Sequence, residues 1–398
     1  MLTIDSVYRA KRALEGVARK TDVIYAPKLC PGTELYLKTE NLQVTGSFKV
    51  RGAYYKMTCL SEEEKARGVV ACSAGNHAQG VALAAKKNGI KAVICLPDGA
   101  PISKVEATKS YGAEVCLVEG VYDDAYQKAL QLRDEKGYTF LHPFNDEEVI
   151  AGQGTIALEI VEQLPDVDAV IVPIGGGGLI SGIAYTIKTL NPRVKVYGVE
   201  ASGAPCMKNA LKEGSLATLS SVSTIADGIA VKQPGDLTYE LCNKYVDEIV
   251  TVTDDEISAA ILALMETQKL VTEGAGAVAV AAAMFNKVDL TGKKTVCLLS
   301  GGNIDVTILS RVISRGLLMS GRNCQLRIEL VDKPGQLKNV SRIIADLGGN
   351  VTSVRHERSN EGSDVNGCYL RIVLETRNFE HIEQIRKALQ AEGFKLID

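Results

Sequence analysis

The chain carries no excess of basic residues, no closely spaced cysteines and no long apolar run, and each absence removes a class of function. Its 45 lysines and arginines face 48 aspartates and glutamates, for a net charge of -3, which provides no basic field for a phosphate backbone or an anionic membrane. Neither nucleic acid nor membrane is expected as a partner. Among 10 cysteines the nearest neighbours, Cys59 and Cys72, are too far apart for a C-x-x-C pair or a zinc ribbon. The cysteines read as small buried apolar side chains. His142, His356 and His381 form no ligand-like spacing. No stretch approaches the roughly 18 apolar residues of a membrane span. Met1-Leu2-Thr3-Ile4-Asp5 lacks the basic-then-apolar order of a leader. A reducing cytoplasm is the expected location.

What is present is the composition of a globular protein: 398 residues, 46% hydrophobic and 23% charged, room for two or three cores at a domain size of roughly 100 to 200 residues. From about residue 34 to 316 a short Val/Ile/Leu-rich run repeatedly gives way to a Gly-containing turn and an Ala/Leu-rich helical segment. Val69-Val70-Ala71-Cys72 leads into a helix over 76–87, Ala169-Val170-Ile171-Val172 into one over 179–190, and Thr295 to Leu299 into one over 304–317. Near-continuous apolar strands alternating with helices predict an α/β fold with open, twisted parallel sheets covered on both faces. We expect a first domain over 1–320, with a small subdomain at about 44–145 and a large one made of 1–43 and 146–320. Beyond Ser320-Gly321-Arg322-Asn323 the texture changes to alternating strands in the order βαββαβ, over 324–398.

Four motifs carry chemistry. Lys49, in Thr45-Gly46-Ser47-Phe48-Lys49-Val50-Arg51-Gly52-Ala53, stands where a helix begins with Ser47 as its expected N-cap. There the positive end of the helix dipole disfavours an ammonium, and a lysine of lowered pKa can form a Schiff base; the plain alternative is a solvated lysine. Gly175-Gly176-Gly177-Gly178-Leu179 lies between a strand and a helix, where bare backbone N–H groups make a phosphate cradle. A dinucleotide site is the rival reading, with Glu200 at the end of the next strand. The glycine spacing fails it, since G-x-G-x-x-G read from Gly175 ends on Ile180, and no G-K-[ST] follows for a P-loop. Ser73-Ala74-Gly75-Asn76-His77 puts an Asn above a strand end, either as a helix cap or as a ligand. Ser300-Gly301-Gly302-Asn303 offers one hydroxyl at another strand end. All four belong to the carboxyl edge where open α/β sheets bind ligands. An amine, a phosphate cradle, one Asn and one Ser together suit pyridoxal 5'-phosphate, which needs an amine for its aldehyde, a grip on its phosphate and a partner for its ring nitrogen.

S-F-K-x-R-G-A with S-A-G-N-H, G-G-G-G-L and S-G-G-N resembles the fold type II pyridoxal phosphate enzymes, and within them the threonine and serine dehydratases. The C-terminal βαββαβ order, with its Asp332-Lys333-Pro334-Gly335 turn, resembles the ferredoxin-like ACT regulatory domain. The resemblance implies that Lys49 holds the cofactor beside Phe48, that Asn76 contacts its ring hydroxyl, that Gly175, Gly176, Gly177, Gly178 and Leu179 bind its phosphate, and that Ser300 faces its ring nitrogen. Ser73, Ala74, Gly75 and His77 would face a small amino-acid substrate. In the ACT family an amino acid commonly binds near the first βα loop, which implicates Asp332, Gly335 and Leu337 in binding an amino-acid or nucleotide effector. A purely dimerising module is the alternative, and either points to a homodimer or homotetramer.

The reaction so implied is dehydrative deamination, threonine to 2-oxobutanoate or serine to pyruvate, with Lys49 taking the α-proton. Catabolic control is the expectation from a single short ACT tail. Serine racemase shares the motifs but places a Ser before its Gly-Asn pair as a second acid/base. Ala74 stands at that position here, so elimination without racemisation is expected. A non-enzymatic sensor would not need Lys49, Asn76 and Ser300 intact. Some relatives bind a cation through an acid, a carbonyl four residues on and a carboxylate six residues on. Glu200 and Ala204 match, but Cys206 does not, which leaves backbone partners for Glu200 as the other reading. Arg51 is expected to bond backbone around the cofactor loop or to meet substrate, and His77 to be packed.

Overall fold

Continuous apolar runs become strands shielded on both faces: every residue of Val69–Cys72 and Ala169–Pro173 is buried, as parallel strands between helical layers require. The computed structural model describes residues 2–100, 102–358 and 367–397. It comprises two compact units, 1–308 and 309–398, with the helix Val306–Met319 straddling the division.

The first unit contains two sheets. The larger has six strands in the order Val23–Tyr25, Glu34–Lys38, Lys294–Leu298, Ala169–Pro173, Lys195–Ala201, Glu248–Val252. Its first pair is antiparallel and the others are parallel. Thr295 lies opposite Leu35 on one side and Ala169 on the other, so turns remote in sequence emerge from one edge. The smaller sheet has four parallel strands, Glu114–Val118, Ala92–Pro97, Val69–Cys72 and Thr139–Phe140. Around the large sheet the core joins Val170, Val172, Val196 and Val296 to Ile180, Ile183 and Ile187 of the helix Gly178–Leu190. Helix limits follow the sequence reading to within a residue or two. The helix expected from 304 begins at Val306 because the Asp305 carboxylate accepts the Thr307 N–H at 2.8 Å and sets the start.

The second unit is a four-stranded sheet in the order Asn350–Glu357, Gly367–Glu375, Asn323–Val331, Lys395–Ile397, with helices Gln336–Asp346 and Phe379–Ala391. All its strand pairs are antiparallel. Leu326, Ile328, Leu370 and Ile372 pack on Val340, Ile344, Ile385 and Leu389, and the βαββαβ order is present. Gly335, at φ 94, precedes its first helix in a left-handed conformation that a side chain would strain. Among the described residues no helix is long and apolar enough to cross a membrane.

Candidate active site

The strand ends of the first unit gather around a cavity of about 810 Å³. Lys49 is the first residue of the helix Lys49–Thr58, but the N-cap position is Phe48 and no side chain caps it. Ser47 instead forms an antiparallel bridge with Gly301, while Phe48 N donates to Ser300 O at 3.1 Å. The expected serine cap is thus replaced by a tie between the lysine loop and the serine loop. Lys49 Nζ donates to the carbonyl oxygen of Pro143 at 2.8 Å and lies 5.3 Å from the Phe48 ring centroid. Some of the side chain remains solvent-accessible, yet protein crowds the amine on most sides. Burial pulls its pKa from 10.5 down to about 8, against an opposing pull from Glu273.

Gly175 to Leu179 lines the same cavity, with Gly177 at φ 95 preceding the helix Gly178–Leu190. Side chains are excluded here by contact: a Cβ on Gly176 would run into the Phe144 ring, and one on Gly178 would sit 2.7 Å from Phe144 O. The turn must therefore be bare backbone at a helix N-terminus, which fits a phosphate. Asn76 begins the helix Asn76–Asn88, and Ser300, 2% exposed, donates to Ala275 O at 3.3 Å. Amine, cradle, amide and hydroxyl face one space large enough for a cofactor and a small substrate.

The structure adds groups that sequence reasoning missed. Asn76 Nδ2 donates to Glu273 Oε1 at 2.6 Å, and Asn303 Nδ2 donates to Asn76 Oδ1 at 2.8 Å and to Thr45 O at 2.7 Å. Glu273 is buried, and burial followed by the nearby Asp227 pushes its carboxyl up to about 7. His142 also lines the cavity; its Nδ1 accepts the Asn145 N–H at 2.8 Å, and burial and Lys49 pull it down to about 4. Asn303 had a signal, since it ends the S-G-G-N motif. Glu273 and His142 had none, because only folding brings their segments to the cavity.

The remaining expected residues divide. Ser73, Ala74, Gly75 and His77 line the cavity. Ser73 Oγ accepts the Gly75 N–H at 3.1 Å, and His77 packs with Nε2 3.0 Å from Leu141 O, pulled down to about 3 by burial and Lys49. Arg51 meets carboxylates instead of substrate or cofactor loop: Nε and Nη2 donate to Glu40 at 2.9 and 2.8 Å, and Nη1 to Glu159 at 2.6 Å. Lys38 Nζ reaches the other oxygen of Glu159 at 2.6 Å. Glu200 accepts the N–H groups of Met207 and Lys208 at 2.8 and 2.9 Å, beside Ala204, whose N–H bonds Ala201 O. Glu200 is therefore satisfied by backbone at the start of the helix Cys206–Glu213. Asp332, Gly335 and Leu337 belong to the second unit, where Asp332 pairs with Arg358 at 3.1 Å and Leu337 is exposed.

This geometry agrees with what the chain is similar to. The family model for pyridoxal-phosphate dependent enzymes matches residues 14–301, and that for the ACT domain matches 325–393. The L-threonine ammonia-lyase of Thermotoga maritima is 51% identical over 100% of this chain and 99% of its own. The catabolic L-threonine dehydratase TdcB of Escherichia coli K12 is 48% identical over 78% of this chain and 96% of its own. The solved structure of maize serine racemase superposes with a TM-score of 0.75 at 36% identity, covering 80% of this chain and 98% of that one. The chain belongs to the pyridoxal-phosphate dependent enzymes of fold type II and carries a C-terminal ACT domain.

Proposed function

We propose that the protein deaminates L-threonine to 2-oxobutanoate and ammonia, and L-serine to pyruvate, in a catabolic role. Residues 1–320 would form the catalytic part and 324–398 a regulatory part, within a cytoplasmic homodimer or homotetramer. The observation that carries the reading is Lys49 Nζ, an amine brought down to about 8 in a cavity shared with a bare-backbone cradle. Bound pyridoxal phosphate supplies an electron sink for the charge left when the substrate loses its α-proton.

The chain's own residues do the rest. Lys49 would hold the cofactor, and its amine, poised near working pH, would take and hold the α-proton. Gly175 to Gly178 and the helix behind them grip the phosphate. Ser300 would face the ring nitrogen with a neutral hydroxyl, which cannot hold a proton there as a carboxylate would, and this would favour loss of the β-hydroxyl over transamination. Asn76 is held by Glu273 and Asn303, which would fix the orientation in which its amide meets the ring. Ala74 has no proton to deliver from the opposite face, which disfavours racemisation.

The test is 2-oxo acid release from threonine and serine, with and without isoleucine, valine and AMP. Both substrates should yield 2-oxo acid, threonine the faster, with isoleucine without effect. No 2-oxo acid from either, in protein where borohydride still fixes the cofactor on Lys49, would reject the lyase reading. Ala74→Ser should gain D-serine formation, read by chiral chromatography, while the parent shows little.

A further inference from the structure

In the second unit three side chains scattered in the sequence converge. Asp332 follows the strand Asn323–Val331, His356 lies in Asn350–Glu357 and Cys368 in Gly367–Glu375. His356 pairs with Leu370 and Cys368 with Leu330, both core residues packed on the helices. Because directly opposed residues share a face, His356 and Cys368 point to that side of the sheet, beside the Asp332 turn. His356 Nε2 lies 2.9 Å from Cys368 Sγ and 4.0 Å from Asp332 Oδ1. One donor atom from each of the three falls within 4.8 Å of the others.

We propose that Asp332, His356 and Cys368 bind a divalent transition-metal ion, with zinc the best match. Sulfur, imidazole nitrogen and carboxylate oxygen are a mixed donor set that suits zinc and excludes the oxygen-seeking magnesium and calcium. With bonds of about 2.3 Å to sulfur and about 2.0 to 2.2 Å to nitrogen and oxygen, tetrahedral donors stand roughly 3.5 Å apart. The separations of 2.9 and 4.0 Å straddle that value, so small side-chain rotations centre the ion. Cys368 is 1% exposed, while the Asp332 and His356 side chains are 36% and 42% exposed. The sulfur thus anchors the site from within, and the ion enters from solvent. Arg358 Nε holds Asp332 Oδ2 at 3.1 Å, with a longer Nη2 contact to Oδ1 at 3.4 Å, orienting the carboxylate as outer partners of metal ligands do. Three protein ligands leave a position open to water or to the amine or carboxylate of a small molecule. None of this depends on which amino acid the first unit consumes.

The same contacts without an ion would be a His–Cys hydrogen bond beside an ion pair, and metal titration separates the two. Full-length holoenzyme, freed of metal by chelator and dialysis, is titrated with cobalt(II) and then zinc(II). Cobalt should give the long-wavelength d–d bands of a tetrahedral thiolate site, clear of the cofactor's absorption, saturating at about one ion per chain, and zinc should abolish them. Cys368→Ser and His356→Gln should each weaken binding at least about a hundredfold. His356→Gln changes a side chain that is 42% exposed and decides the matter should Cys368→Ser fail to fold. Wild-type protein that binds no cobalt, or unchanged bands in His356→Gln, overturns the proposal.

Discussion

Lys49 owes its chemistry to two neighbourhoods. The helix start was legible in S-F-K-x-R-G, but burial is the leading cause of its lowered pKa, and burial belongs to the cavity. Without cofactor, the unfolded chain holds a proton on Lys49 between about 8 and 10.5 that the folded chain has released. Stability of the cofactor-free protein should therefore rise with pH across that window, and Lys49→Met should flatten the rise in urea midpoints. The same variant should lose activity by on the order of 10³-fold or more, the scale of a displaced general base. Glu273 has the opposite sign: its folded form keeps a proton from 4.5 up to about 7, so its contribution to stability falls as pH rises through that range. Glu273→Gln should remove that loss, seen as a weaker decline in midpoint from pH 5 to pH 7 at about 25 °C.

At the scale of elements, the glycine-rich turn and the lysine helix are held from behind. Gly176 leaves room for the Phe144 ring; Gly176→Ala should force that ring or the turn aside at about 1 to 3 kcal/mol, read as weaker cofactor retention in dialysis. Arg51 sits two residues past Lys49, clamped between Glu40 and Glu159. Arg51→Met would leave Glu40 without its paired cation in the core, and Glu159 with Lys38 alone. It should destabilise the fold by about 3 to 5 kcal/mol in urea titration, with little change in the substrate preference of molecules that remain folded. Arg51 shows where motif reading runs out: it lies inside the signature, yet its partners come from segments that no local pattern links to it.

At the scale of the molecule, the strand Asn350–Glu357 is an edge of the second sheet and most of its residues are exposed. Among the described residues this strand has a sheet neighbour on one side alone, and such an edge favours pairing with another chain, so light scattering of the full-length protein should give a dimer or tetramer; a monomer would contradict this.

The sequence by itself determined the parallel and antiparallel sheets, because apolar periodicity and glycine turns are local signals. It also put Lys49, Asn76, Ser300 and the glycine run at strand ends or helix starts, since each lies in one short segment with its own local signal. Only the tertiary structure decided that Glu273 holds Asn76, that Arg51 serves the core, and that Cys368 meets His356 and Asp332. Those partnerships are made between strand ends and across sheet registers, where distance in space is set by how the strands are ordered and has no counterpart in distance along the chain.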